Sequence, residues 1–291
     1  MGEEHEKLTN VLDMLGRIAR GRSDLNEAES LLRRALEIEH KTSGADHPKT
    51  IQRLHNLALI EWRKGDREGA EQHFRAVIAD SERVLGLPHP DTAVAISNLA
   101  SLLREQRRFE EAQQLFERSL ELNRKWRGTR HFAVGYDLAR LAQLELERQN
   151  LERAERLVRE ALDIYSETLE PNNAHIAAAL ITLGRTLVER KTAQAALAPL
   201  ERARAICEQR YGPESAEYAV ASSTLARART LTGQLDKAEP MLKRAYSVLH
   251  RERGTGAEAT VRAREWIEEL LHTQNRTSEA EAYFASFDRG R

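Results

Sequence analysis

Small, apolar and polar positions recur along this chain with a period of 42 residues. With Ala112 as the reference, the same slot holds Ala28, Ala70, Ala154, Ala196, Ala238 and Ala280, with no insertion or deletion between copies. A second small column precedes it: Gly16, Ala58, Ala100, Ala142, Gly184 and Ala226, broken by Glu268 in the last copy. Beside that runs an apolar column, Leu15, Leu57, Leu99, Leu141, Leu183, Leu225 and Ile267. A bulky column follows the reference: Leu32, Phe74, Phe116, Val158, Leu200, Leu242 and Phe284. A fixed period of this kind, filled at helical spacing, predicts stacked helix pairs. Small residues on facing helices let two backbones approach towards the short end of the ~8–10 Å range of interaxial distances. The Leu and Phe columns fill the space around that contact. One pair cannot bury its apolar faces alone, so neighbours must stack. The predicted fold is all-α, a right-handed solenoid of seven helix-turn-helix repeats. It forms a single array over 1–291, with copies at about 5–46, 47–88, 89–130, 131–172, 173–214, 215–256 and 257–291.

Turn residues punctuate each copy. In the second, helix A is expected from about Pro48 to Lys64, with Asp46 as N-cap and Pro48 where its missing N–H costs nothing. Gly65 suits a left-handed cap, and Asp66 can cap a helix B running from about Arg67 to Leu85. Helix B ends at Gly44, Gly86, Gly128, Gly212 and Gly254 in five copies. Glu170 is the exception, where Pro171 is expected to stop the helix instead. His47-Pro48 and His89-Pro90 open copies two and three, and His5 and His131 hold the same slot without the proline. Asn173, Ser215 and Ala257 follow in that slot. Terminal copies should depart from consensus because one face meets water, as Glu268 and the closing FDRGR suggest.

Composition narrows the function. Aromatics are only 5% against 41% hydrophobic residues, which suits a helical array packed with Ala and Leu. The net charge of −1 offers no field to draw in nucleic acid or an acidic membrane. Cys207 is the single cysteine, so no intrachain disulfide can form, and a reducing, cytoplasmic setting is expected. No apolar run approaches the ~20 residues of a membrane span. The opening MGEEHEKLTN lacks the apolar stretch of a signal peptide, and Gly2 is not followed by the Ser or Thr of a myristoylation site.

Three short signatures point to a family. Helix A carries Asn56-Leu57-Ala58 and Asn98-Leu99-Ala100; helix B carries EAESLLRRAL at 27–36 and ERAERLVREAL at 152–162; the joint reads LGLPHPDT at 85–92. On these residues the chain resembles tetratricopeptide repeats of the kinesin-light-chain type, over nearly its whole length. The resemblance implies a non-catalytic scaffold that binds peptides or proteins on a concave wall lined by helix A. Such arrays include a short bacterial kinesin-light-chain-like protein associated with bacterial tubulin filaments. A tubulin-like cytoskeletal filament is therefore the most concrete partner the resemblance implies. The groove asparagines of the family are reduced here to Asn56 and Asn98, with Arg140, Thr182 and Thr224 in the same slot later.

The candidate chemistry is sparse. Successive His-Pro histidines are a helix pair apart, on the order of 10 Å per packed helix. Zinc–nitrogen bonds are ~2 Å, so these residues cap helices and hold no metal. Cys207 sits on a helix-B face without a spaced His–acid partner, which reads as a structural thiol, half-buried. No phosphate loop, nucleophile elbow or zinc-protease motif occurs, so neither an enzyme nor a cofactor is expected. The register places Arg17, Arg20, His55, Asn56, Trp62, Arg63, Asn98, Arg104, Tyr136, Arg140, Arg185 and Arg227 on the helix-A wall. Arginine forks clamp carboxylates, and Trp62 could anchor a partner. The competing reading is that these arginines only solubilise the helices, balanced by acids such as Glu105, Glu147 and Glu189. Two partner classes stay open: a filament surface, or a short acidic segment captured in the groove.

Overall fold

The computed structural model of the chain describes residues 2–22, 24–86 and 89–288, apart from the side chains of 2–6 and 288. Leu87 and Pro88 of the LGLPHPDT joint, the side chain of His5 and the end of FDRGR thus lie outside the described residues. Among the described residues every regular element is an α-helix. The helices are α1 (Gly2–Gly21), α2 (Leu25–Ser43), α3 (Pro48–Lys64), α4 (Arg67–Leu85), α5 (Pro90–Glu105), α6 (Phe109–Arg127) and α7 (Phe132–Glu147). They continue as α8 (Leu151–Thr168), α9 (Ala174–Glu189), α10 (Ala193–Tyr211), α11 (Ala216–Leu231), α12 (Leu235–Arg253), α13 (Glu258–Thr273) and α14 (Thr277–Asp288). Odd-numbered helices are the A helices and even-numbered ones the B helices. The chain divides into two compact units, residues 1–144 and 145–291.

The repeat columns form the core. Ala28, Ala70, Ala112, Ala154, Ala196, Ala238 and Ala280 are all buried, as is the bulky column from Leu32 to Phe284. Only at Gly184 must the small residue be glycine: a Cβ there would lie 2.4 Å from Cγ and Cδ2 of Leu200, so α9 and α10 touch through backbone and leucine. Gly184→Ala is expected to cost about 1–3 kcal/mol by overpacking. Thermal melts should recover part of that loss when Leu200→Val is added. An unchanged melting temperature for Gly184→Ala would show that the two helices do not meet there. The apolar column departs from expectation at its first member. Leu15 is 44% exposed, together with Leu8, Val11, Met14 and Ile18, whereas its later counterparts are buried. In those copies the equivalent stripe packs beneath the neighbouring B helix.

Capping follows the register, with one correction. The N-cap of α3 is His47, not Asp46: the His47 Nδ1 accepts from the Lys49 N–H at 3.3 Å, while Asp46 accepts from Arg83 at 2.5 Å. His89 and His131 cap α5 and α7 in the same manner, from Asp91 N at 3.2 Å and Ala133 N at 3.1 Å. Asn173 and Ser215 take over the role by accepting from His175 N and Tyr218 N. A ring nitrogen that accepts must be unprotonated, so these caps require neutral imidazole. Asp66 caps α4 as expected, accepting from Gly69 N at 3.0 Å. The left-handed turn after helix A occurs at Gly65, and its slot mates Arg107, Gln149, Lys191 and Asn275 adopt it too, with φ of 58 to 64°. The register imposes a conformation that these side chains disfavour by roughly 1–2 kcal/mol. α8 stops at Thr168, with Leu169 already extended, so it ends before Pro171 is reached.

Equivalent ion pairs tie successive B helices within each unit. Glu71 accepts from Arg75 and Arg108, both at 2.8 Å, in the first unit. Glu239 accepts from Lys243 and Arg276, both at 2.7 Å, in the second. These partly exposed pairs contribute little individually. The polar group that matters more is Asp137 in the first unit. It is fully buried on α7 and accepts hydrogen bonds at 2.8 Å from Ser97 of α5 and from Ser119 and Asn123 of α6. All three donors are neutral, and burial pushes the Asp137 carboxyl up to about 6 despite them.

Candidate partner-binding wall

The predicted wall residues divide by unit. In the first, Arg17 and Arg20 lie on α1, the former exposed and the latter half-buried. His55, Asn56 and Trp62 are half-buried on α3, as are Asn98 and Arg104 on α5 and Tyr136 and Arg140 on α7. Several of these groups are already engaged. Asn98 Nδ2 donates to His55 Nε2 at 2.9 Å, and Trp62 Nε1 donates to Glu105 Oε2 at 2.8 Å. Both bonds join α3 to α5, one repeat apart, with the Trp62 and His55 rings against buried Phe74. Burial holds the His55 pKa below its usual value, which keeps the ring neutral and able to accept. Arg140 donates to the Tyr136 hydroxyl at 3.0 Å and stacks 5.0 Å from its ring centroid. Arg63 leaves the row: it is exposed at the end of α3, where it lines an open recess beside Arg22, Asp24, Asn26 and Lys64.

The second unit concentrates the arginines. Arg185 of α9 and Arg227 of α11 line one cleft of about 220 Å³, together with Arg262 and Trp266 of α13, Thr224 and Val188. Arg262 packs with its guanidinium 6.0 Å from the Trp266 ring centroid. The counter-charges come from surface glutamates. Glu258 pairs with Arg262 and lies 3.9 Å from Arg185. Glu269 Oε1 lies 2.9 Å from Arg227 Nη1 but outside hydrogen-bonding alignment, so that buried nitrogen has no hydrogen bond. Burial, reinforced by the neighbouring Arg262, pulls the Arg185 guanidinium down to about 10. Glu258, Glu147 and Glu189 oppose that shift, and Glu189 and Glu265 also line the cleft. Glu258 and Glu269 are well exposed, at 73% and 50% of their side chains, and can swing away.

The register could have found Trp266 and did not. It is the next member of the slot that holds Asn56, Asn98, Arg140, Thr182 and Thr224. Arg262 falls in the slot of Tyr136, but Ala178 and Val220 hold that slot in the two copies between them and interrupt the signal. Cys207 is fully buried rather than half-buried, and burial pushes its thiol up to about 11. At neutral pH it is a protonated core residue with no nucleophilic character.

Residues 10–245 match the MalT-like TPR region. The chain belongs to this family. No curated protein sequence matches it. Solved structures repeat the fold at low identity. The chain is similar to BtubC (BKLC) from P. vanneervenii at 22% identity and a TM-score of 0.65, over 80% of this chain and 93% of that one. The apo form of the quorum sensor NprR from B. thuringiensis superposes with a TM-score of 0.75 at 11% identity, covering 97% of this chain and 79% of the other. A putative kinesin light chain from Podosopora anserina, with nearly identical TPR-like repeats, is 22% identical with a TM-score of 0.58, over 71% and 98%. These likenesses place the chain among all-α tetratricopeptide solenoids. Among the described residues no helix is long and apolar enough to cross a membrane.

Proposed function

We propose that this chain is a non-enzymatic adaptor, working as a single array, that holds an acidic protein segment against its A helices. The observation that carries this reading is the convergence of Arg185, Arg227 and Arg262 beside Trp266 in one cleft. Guanidinium forks pair with carboxylates in two parallel hydrogen bonds, and an indole supplies the apolar contact that anchors such a segment. The exposed partners Glu258 and Glu269 act as stand-ins that an incoming carboxylate displaces. In the first unit, Arg17, Arg20, Arg104 and Arg140 extend the same chemistry, while His55, Asn98 and Trp62 serve more to join the repeats. The most concrete partner is the surface of a tubulin-like filament, supported by the kinesin-light-chain signatures and by the fold shared with BtubC. A short regulatory peptide is the alternative, supported by the cleft being sized for one or two side chains.

Co-sedimentation with a polymerised tubulin-like protein, run beside a fluorescent library of acidic peptides, separates the two. Filament binding should weaken as salt rises, because exposed charges are screened. Glu269→Gln should strengthen binding several-fold by freeing Arg227. If neither polymer nor peptide binds, and Glu269→Gln changes nothing, the wall is not the functional surface.

A further inference from the structure

The fifth and sixth repeats each depart from their fellows at one interior slot where they meet. The slot of Ser222 holds Leu12, Leu54, Ile96, Leu138 and Leu180 in the five earlier copies, and Arg264 in the last. The slot of Arg204 holds Leu36, Ile78, Leu120, Leu162 and Tyr246. Where the repeat would fill space with two aliphatic side chains, α10 and α11 supply a guanidinium and a hydroxyl. The space is left as a cleft of about 240 Å³, lined by Arg204, Tyr218, Ser222, Met241, Arg244 and Val248. Pro240 also borders it, in the interior of α12, where it has no N–H to give the helix.

The polar atoms of this cleft are not satisfied internally. Ser222 is only 5% exposed, yet its Oγ has no hydrogen-bond partner. The Arg204 Nε is buried and also unpartnered, although Nη1 of the same residue donates to the Tyr218 hydroxyl at 2.9 Å. Buried polar groups are nearly always paired, so two orphans in one cleft call for an explanation. Both can donate, and the guanidinium adds a positive charge, which suits an anionic acceptor such as a carboxylate. Arg244, held by Glu214 at 2.8 Å, adds a second guanidinium. Met241, Val248, Ala219 and Ala245 provide apolar walls. The volume is below the ~300–1,000 Å³ of sites for drug-sized ligands, so the occupant is small.

We propose that this cleft binds a compact apolar carboxylate, about the size of one amino-acid residue, with its carboxylate on Arg204 and Ser222 and its body against Met241 and Val248. The ligand is either a free acid or the C-terminal residue of a peptide. This cleft shares no lining residue with that of Arg185, Arg227 and Arg262, so the proposal does not rest on that reading.

The test is calorimetric titration of the full chain with phenylacetate and hexanoate, with their primary amides, and with a tripeptide ending in leucine as free acid and as amide. Saturable binding of the acids and not the amides is the expected result. A free acid that binds while the tripeptide does not identifies a small metabolite site, and tighter binding of the tripeptide acid identifies a chain-terminus site. Ser222→Leu restores the residue of the earlier copies, so it should keep or raise the melting temperature while abolishing binding. Arg204→Met keeps the space and removes the charge; it should weaken acid binding by at least about tenfold, as loss of a charge-assisted hydrogen bond does. Failure of every acid to saturate, or undiminished acid binding by folded Ser222→Leu, overturns the proposal.

Discussion

Asp137→Asn is expected to stabilise the first unit at neutral pH by about 2–3 kcal/mol and to flatten its pH dependence. The carboxyl is raised from 3.8 to about 6 because it is buried among neutral donors and no cation compensates it. The folded unit therefore binds the proton more tightly than the unfolded chain. Its stability contribution is fully present below the unfolded pKa of 3.8 and is lost as pH rises through about 6. Above that pH the folded unit carries a buried carboxylate at a cost of up to about 3 kcal/mol. Asparagine removes the charge and still matches the partners. Its oxygen can take the place of Oδ2, accepting from Ser119 and Asn123, and its amide can donate to the Ser97 hydroxyl where Oδ1 stood. Urea melts at about pH 4.5 and about pH 7.5 should show a clearly larger gain for the variant at the higher value. A loss at both would mean that the carboxylate is stabilised by something other than these three donors.

The same carboxylate shows where sequence reasoning stops. The fold was legible because the signal is columnar: Ala70 and Phe74 mean little alone, but their slot mates repeat the same demand in every copy. The register also carries Arg107 and Lys191 into the left-handed turn of Gly65, which side-chain preference alone would reject. Preference misled at Asp46, a better cap in isolation than His47, although the slot His47, His89, His131, Asn173, Ser215 already marked the true position. Asp137 was invisible because Ser97, Ser119 and Asn123 come from three different slots, and no column connects them. The arginine cleft was half legible: a helix-A register placed Arg185 and Arg227 on one wall. The column that holds Asn56, Asn98, Arg140, Thr182 and Thr224 reaches Trp266 in the last copy, where the small column beside it breaks at Glu268. Sites in a repeat protein arise where one copy breaks the rule, so a column's exceptions carry as much information as its members. Glu268, Ser222 and Arg204 are such exceptions.

Arg185→Glu combined with Arg227→Glu is expected to abolish binding of an acidic partner, a loss of at least about a hundredfold, equivalent to ~3 kcal/mol. Single changes should be milder, because a partner that meets several guanidinium groups loses only one contact when one is removed. Reversing two charges does more, since it places like charges opposite the ligand and adds repulsion to the lost attraction. The residual binding of single Arg→Gln variants should fall further with salt, and the double reversal should respond little, having no attraction left to screen. Folding needs its own control here, because both side chains are largely buried, Arg227 beside Glu269 more so than Arg185. Arg227→Glu with Glu269→Arg swaps the pair while keeping it intact, so helicity and melting temperature should hold. In that swapped protein a cation still borders the cleft, but displaced to α13, and binding should be reduced rather than lost. Co-sedimentation or peptide titration at low and high salt reads all of these variants on one scale. Undiminished binding by a folded double-reversal variant would move the partner surface off the A helices of the second unit, and with it the carboxylate clamp.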